Sequence, residues 1–528
     1  MNYGINLKKN RGIILIACYL VVALLMVLVG ALVARSVYEA KFAERQQHLQ
    51  EAFYIAESGL QQVIFDLRAD YANTAGWGDG AINGMAIALN TNTFTTLPYL
   101  AAQTAVGQGD FQVGVKGVLG KPAEVWIQST GTSGSYTRRV QAYLAVKNLN
   151  TWNNVIFAGS GQGGNAISGN VDIRGSVHIL GTGPPPLTSN DYAMDLSGGA
   201  NLGNNYTGMP VELSSRIPAI PIVNFNGENV ESLSAEIRFK NGKLGLSGIA
   251  LAGAADVTGN SVKETMDGMF VTHGYGGNQA TANVYSDNGT GNAYDAGDVV
   301  YFPIFSKPYV DRRDSSSYPN YGTFLTTKGL DISAVPEIPN GKIDPRNVAP
   351  GPGTPSFCLP ITCLQDANQN LIQWDNPSKT LTVQGVVYRN GDIDLGEKNT
   401  EMYFLGKGTL VARGPSADVD IHGNFLAKGP EKFATLTGPV IGLVAEDKVR
   451  IGTGGGESQL KVMGAFYGQT EIEADKQAYL AGTFNSNHFK MNQVPSIYQV
   501  PSLVDNLPPG LIGDQTVFII QVKSWQEI

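Results

Sequence analysis

From Ile13 to Ala34 the chain reads IILIACYLVVALLMVLVGALVA, 22 residues without a charge. As a helix rising about 1.5 Å per residue, this stretch covers about 33 Å, enough to cross a hydrocarbon core of ~30 Å. Residues 1–12, MNYGINLKKNRG, place Lys8, Lys9 and Arg11 before it and carry no acid. Positive charge stays on the cytoplasmic side, so this flank predicts a single-pass inner-membrane segment with its N-terminus in the cytoplasm and everything after Arg35 outside. A cleaved secretory signal is the alternative. Its apolar part spans ~7–15 residues and ends at a small-x-small site, which this longer run ending Leu32-Val33-Ala34 does not match.

The residues after the apolar run constrain the chain further. Between Arg35 and Asp70 there is no proline, and Gly59 is the only glycine. Leu49, Phe53, Ala56, Leu60, Val63 and Leu67 recur every three or four residues, the spacing of an amphipathic helix. Membrane part (13–34) and continuation (35–70) are therefore expected as one rod of about 87 Å. A plain anchor has no need of such continuity. A subunit that packs its rod against copies or relatives does.

A short basic leader ending in glycine, an apolar helix and then EAFYIAESGLQQVIFDLR at 51–68 together resemble the type IV pilin and pseudopilin class. The nearest resemblance is to minor pilins of the PilX kind, carried by Ala52, Phe53, Ala56, Glu57, Gly59 and Leu60. It implies a leader at 1–12, cut by a prepilin peptidase between Gly12 and Ile13, with methylation of the new N-terminus. It also implies storage in the inner membrane and assembly, through the helix, with other pilin or pseudopilin subunits of a type IV pilus or type II secretion filament. The fifth mature position, glutamate in most major pilins, is Ala17 here. That departure points to a minor component with its head exposed on the cell surface for tip, adhesion or assembly roles.

The remainder is too long for one core: the chain has 528 residues, and single cores stop growing beyond ~250–300. Its 37 basic and 45 acidic residues leave a net charge of −8, with no surplus to neutralise phosphates, which argues against a nucleic-acid partner. Sixty-four glycines, with many Val, Ile, Thr and Asn, indicate short strands and tight turns. Within 71–148, strands are expected at Asp110–Leu119 and over Glu124–Val146 about a GTSGS turn, resembling the small antiparallel sheet of pilin-like heads. In the β-rich region 149–335, Ile167, Val171, Ile173, Val177 and Ile179 share one parity. Residues 336–377, with eight prolines, read as an irregular excursion.

From 378 to 494 an apolar-x-Gly-x-apolar motif recurs at Val383–Val387, Ile421–Phe425, Val462–Phe466 and Leu480–Phe484, at intervals fitting a period near 20 residues. A right-handed parallel β-solenoid is expected, in which each coil buries its apolar face on the next. The expected class is thus α+β, mostly β: helix, small sheet, then solenoid, with 495–528 as tail and closing strand. The solenoid part also resembles modules appended to PilX-like proteins, down to Ser524-Trp525-Gln526-Glu527. A β-sandwich head is the alternative, since it too gives short alternating strands.

Several groups could carry chemistry. Cys358 and Cys363, outside the membrane, are a candidate disulfide bracing the proline-rich loop, with two free thiols as the alternative. Cys18 reads as a small apolar residue of the membrane helix. Asp287, Asn292, Asp295 and Asp298 in SDNGTGNAYDAGD offer oxygens for Ca²⁺, against a turn whose side chains cap their own backbone. Asp392/Asp394, Asp418/Asp420 and Glu471/Glu473 are i,i+2 pairs sharing strand faces, at a spacing that would suit an inverting glycosidase. No Arg, Lys or His set clusters with them in sequence, and solvated faces are expected instead. A membrane-tethered carbohydrate-binding or carbohydrate-active β-helix, with a surface glycan or cell-surface ligand, is the alternative function. No phosphate-cradling loop precedes a helix, and no enzyme activity is expected.

Overall fold

The structure, a computed structural model, describes residues 11–74, 81–82, 85–86, 92–97, 104–106, 109–118, 121–148, 150–162, 167–182, 191–289, 293–294, 296, 300, 302–311, 313–333, 362–375, 377–396, 398, 400–455, 458–513 and 518–528. They divide into two compact units, residues 1–147 with 518–528 and residues 148–517.

In the first unit a single helix, α1, runs from Arg11 to Thr74, 64 residues or about 96 Å. No proline interrupts its hydrogen-bond ladder, and it continues one turn past the expected Asp70. Three antiparallel strands, Gly109–Val118, Lys121–Ser133 and Tyr136–Asn148, pack on its C-terminal half. The hairpin turn sits at Gly134-Ser135 rather than across the whole GTSGS stretch, so Gly131 lies inside a strand. The tail expected over 495–528 divides: its last strand, Phe518–Glu527, joins this sheet beside Tyr136–Asn148, and the rest stays with the second unit.

The second unit is built on one 21-stranded sheet, parallel throughout except where the hairpin Thr362–Gln365/Leu371–Asp375 caps the strand Thr380–Asn390. Long strands bend and serve several ladders in turn. Lys461–Ala474, for example, pairs at Val462 with Phe425, at Phe466 with Leu443 and at Ile472 with Val449. Through one ladder Leu330, Val387, Leu410, Leu443, Phe466, Phe484, Ile156, Val177, Ile237 and Met269 stand in register. Through another run Met402, Phe425, Val462, Leu480, Ile497, Ile173, Leu202 and Ala252. All of them are buried, and together they form one continuous core. Parallel pairing is incompatible with the antiparallel sheets of the sandwich alternative.

Stacking order is not chain order. The last strands of the second strand-rich block pair in parallel with the first strands of the first block, Phe484 against Ile156 and Ile497 against Ile173. The two blocks, split in sequence by the proline-rich stretch, therefore share one core. Within 334–361 nothing is described; residues 362–375 form the capping hairpin.

Two sequence expectations need correction. The shared parity of Ile167, Val171, Ile173, Val177 and Ile179 does not mark one strand: Asp172–Arg174 and Val177–Ile179 belong to different ladders, with a corner at Gly175, where φ is +133°. Likewise the four glycine motifs are not equivalent. Val462–Phe466 and Leu480–Phe484 lie residue on residue, and Val387 falls on the same row as Phe466. Ile421, by contrast, pairs with Ile451 in a third ladder. Any corner between two short strands selects the same local pattern. At the aligned pair the glycine is obligatory, because a Cβ on Gly482 would fall 1.8 Å from the Gly464 carbonyl oxygen.

Since Phe484 holds the two blocks together, Phe484→Ala is expected to cost about 3–5 kcal/mol, as for other buried aromatic truncations. A denaturant titration of the intact chain should show one lowered midpoint for both blocks. Two transitions with only one displaced would contradict the shared core.

Candidate assembly helix and the charged rows of the head

α1 meets two environments. Residues 13–47 are exposed without exception. Among the described residues, α1 is the one helix long and apolar enough to cross a membrane, its best window having a mean hydropathy of 3.1. Each exposed Leu, Ile or Val there leaves about 1.5–3 kcal/mol of burial unrealised in water. Such a surface needs lipid or another apolar partner. Cys18 lies on it, exposed.

From Ala52 onward one stripe is buried. Ile55, Ala56, Leu60, Val63 and Leu67 pack against Phe111, Val113, Val115, Val125, Ile127, Val140, Ala142 and Leu144. The motif residues that suggested the resemblance sit at this seam. Ala52 and Ala56 face Gly131, where a Cβ would lie 2.3 Å from the Ala52 carbonyl oxygen and 2.4 Å from the Ala56 nitrogen. Gly59 lies so close to Phe111 that a Cβ would come within 2.6 Å of its ring. Leu60 is buried, and half-buried Phe53 meets Trp525 edge-on at 6.0 Å. Glu57 stays at the rim, with Tyr54, Ser58, Gln61, Gln62 and Phe65 along the outer helix face. Gly12 and Ile13 fall within α1, and Ile13 is 67% exposed.

Sequence reading missed Gly131, because a glycine in GTSGS reads as turn. It also missed a polar pin at the top of the seam. His48 Nδ1 lies 2.9 Å from Ser133 Oγ, Ser133 Oγ donates to Glu51 Oε2 at 2.7 Å, and the His48 ring stacks on Tyr136. The only sequence signal was a histidine and an acid three apart on a helix.

In the head, register gathers the acid pairs into two outward rows. Asp394, Asp420, Arg450, Glu473 and Lys490 succeed one another across the coils, and Lys448, Glu471 and His488 do likewise one row away. Basic partners thus do cluster with the acids, contrary to the sequence expectation, because stacking joins residues about 20–30 positions apart. Arg450 bridges Asp420 at 2.7 Å and Asp418 at 2.7 Å, Lys490 pairs with Glu473 at 2.5 Å, and Lys448 with Glu471 at 3.3 Å. His422 Nε2 lies 2.9 Å from Asp394. Asp392 and Asp418 also accept the backbone N–H of Asp418 and Lys448, each tying one coil to the next. Burial pushes the Asp418 carboxyl up, against the opposing pull of Arg450 and the Lys448 N–H.

Of the four residues expected to hold calcium, Asn292, Asp295 and Asp298 lie outside the described residues. Asp287 is engaged otherwise: its carboxylate receives Lys263 Nζ at 2.6 Å and the Thr265 hydroxyl at 2.9 Å. Beside it, Asn288 accepts the Met269 N–H and donates to the Met269 carbonyl, both at 3.0 Å, closing the edge of the terminal strand Gly268–Val271. That is a turn capping backbone. No group of three His, Cys, Asp or Glu side chains placed to hold a metal is found among the described residues. Cys358 lies outside them, and for Cys363 only its strand, Thr362–Gln365, is described.

Desolvation pulls the pKa of buried Lys263 down, but the hydrogen bonds it donates to Asp267 and Asp287, with their charges, outweigh this and raise it.

No family model matches the chain, and no curated protein sequence matches it. Among solved structures, the crystal structure of the competence-associated pilin ComZ from Thermus thermophilus overlays with a TM-score of 0.48 at 20% identity, covering 91% of this chain and 97% of that one.

Two pH responses are expected. Arg450→Met should cost roughly 2 kcal/mol at neutral pH, the scale of hydrogen bonds to charged groups. The loss should shrink as pH falls through the carboxylate range, because protonation neutralises the stranded Asp418, whose carboxyl is already pushed up by burial; denaturant midpoints at pH 7 and pH 4 measure it. A raised folded-state pKa means that the Lys263 cluster stabilises fully below the free lysine value of ~10.4 and loses that stabilisation as pH rises through the folded value. Lys263→Met should therefore flatten the alkaline fall in melting temperature; an unchanged alkaline limb would contradict this.

Proposed function

We propose that the chain is a pilin-like minor subunit of a type IV pilus or a type II secretion-type filament. The observation that carries the reading is the unbroken α1, uncharged over Ile13–Ala34, unpacked as far as residue 47 and seated on an antiparallel sheet beyond it. A helix of this kind rests in the inner membrane and later trades lipid for the apolar halves of other subunits' helices. Lys8, Lys9 and Arg11 would hold the N-terminus in the cytoplasm. Prepilin peptidase would release residues 1–12, and methylation would leave the Ile13 amine as a secondary ammonium with one N–H donor fewer to desolvate on entering an apolar bundle.

The head would be displayed at the cell surface, near a filament tip because its bulk is hard to repeat along a shaft. We read its ladders as a right-handed β-solenoid, the hand strongly preferred for parallel crossovers. In this reading the acid pairs are structural: Asp392 and Asp418 tie coils, and Asp420 and Glu473 answer Arg450 and Lys490. The head has an adhesive or assembly role, not a catalytic one, and needs no cofactor.

The mature chain is expected to begin at methylated Ile13, read by mass spectrometry of the N-terminal peptide from cells with an intact assembly system. A chain beginning at Met1 or near Arg35 would refute the reading. For the head, turnover of any glycan abolished by Asp392→Asn or Asp418→Asn would replace the adhesive role with a catalytic one.

A further inference from the structure

The polypeptide passes into the second unit after Lys147 and out of it after Val517. Inside the second unit, the chain at Thr151 and Trp152 lies against the chain at Ile512 and Gly513, although some 360 residues separate them in sequence. Trp152 Nε1 donates to the Ile512 carbonyl at 3.0 Å, and Thr151 Oγ1 donates to the Gly513 carbonyl at 2.9 Å. Both side chains are 1% exposed. The approach admits no side chain at 513: φ is +75°, and a Cβ there would lie 2.5 Å from Pro303 and 3.2 Å from Thr151 Oγ1.

Each strand of chain is also riveted separately to the stack. On the incoming side, Asn150 caps the Trp152 N–H at 2.9 Å, Thr483 Oγ1 donates to the Trp152 carbonyl at 3.3 Å, and Gln499 Nε2 donates to the Asn153 carbonyl at 3.1 Å. On the outgoing side, Thr409 donates to the Pro509 carbonyl at 2.7 Å and Tyr321 to the Gly510 carbonyl at 2.5 Å. The outgoing chain thus crosses strands rather than pairing along them. Its bonds, to the strand Lys407–Arg413 through Thr409 and to the helix Tyr321–Lys328 through Tyr321, would have to break together, not one after another.

We propose that the contacts of residues 151–153 with 499–513 are a force clamp, which makes the two covalent connections share tension arriving at either, so that the chain does not peel from its first coil. The first unit holds the far side of both connections, through Tyr136–Asn148 and through Phe518–Glu527. Pulled through that unit, an unclamped head would peel from its first coil, unzipping the Ile156–Phe484 row one residue at a time. With the clamp, the coils sit inside a mechanically closed loop. The inference does not depend on what α1 joins, so it stands or falls separately from the filament reading.

Constant-force optical tweezers on the full chain in nanodiscs test it, using clickable non-natural residues as handles at exposed positions. One geometry pulls between Gln46 and Leu436, through the first unit. The other pulls between Thr258 and Leu436, both within the head. Trp152→Phe and Thr151→Val remove the two donors while keeping the buried volume. Each is expected to speed rupture about fivefold in the first geometry, the rate equivalent of about 1 kcal/mol for one hydrogen bond, and to leave the second unchanged. Equal acceleration in both geometries would mean that the contacts only stabilise the head, and no acceleration in the first would mean that they carry no tension; either result overturns the proposal.

Discussion

A single coil of this head has no inside of its own. Each ladder takes only a few residues of a strand, and their apolar side chains are covered only when the strands above and below supply the same row. The register of Leu443 on Phe466, Phe466 on Phe484 and Phe484 on Ile156 is therefore the constraint on which the rest depends. The last of these pairs is the decisive one, since it converts two separate stretches of chain into one stack. Cooperativity then extends across a proline-rich interruption that would otherwise divide the molecule.

The same principle explains where polar residues go. A corner exposes backbone N–H groups that no strand can satisfy, and side chains from the neighbouring coil take them. Asn370 accepts from Val386, Asn424 from Lys461, Asn204 from Ala235 and Asp418 from Lys448, all between 2.8 and 2.9 Å. Buried backbone donors left unpaired would each cost about 1–3 kcal/mol. Much of the Asn and Asp content is accounted for by such corners, without invoking catalysis. From Asp420 onward the charges of the outer row alternate for a related reason: like charges stacked ~4.8 Å apart repel, and Arg450 between Asp420 and Glu473, with Lys490 next to Glu473, removes the repulsion.

α1 obeys a different physics along its length. Over Ile13–Ala34 every face is apolar and none is packed, so its stability in isolation is that of a helix waiting for a nonpolar surrounding. In the second half small residues make the fit possible. Ala52, Ala56 and Gly59 let the helix lie on the sheet at near-contact distance, with Gly131 conceding the same space from the other side. The A-F-x-x-A-E-x-G-L run marks a seam, and its glycine is a matter of space rather than of backbone freedom.

How much of this was legible depends on the range over which each signal acts. The apolar run, the 3.6-residue stripe through Leu60 and Leu67 and the alternation of Arg139–Leu144 are local patterns, and periodicity alone determined the helix, its membrane-length segment and the small sheet. Alternation and recurring glycines also disclosed that the head is made of short stacked strands. Three outcomes were decided only by tertiary structure: that the final coil lies on the first, that Gly131 faces a helix rather than a turn, and that Arg450 answers Asp418 and Asp420 about thirty positions away. Each is a pairing between residues distant in sequence, and a repeat whose units all look alike cannot say which unit stacks on which. That choice belongs to the shape and register of the assembled core.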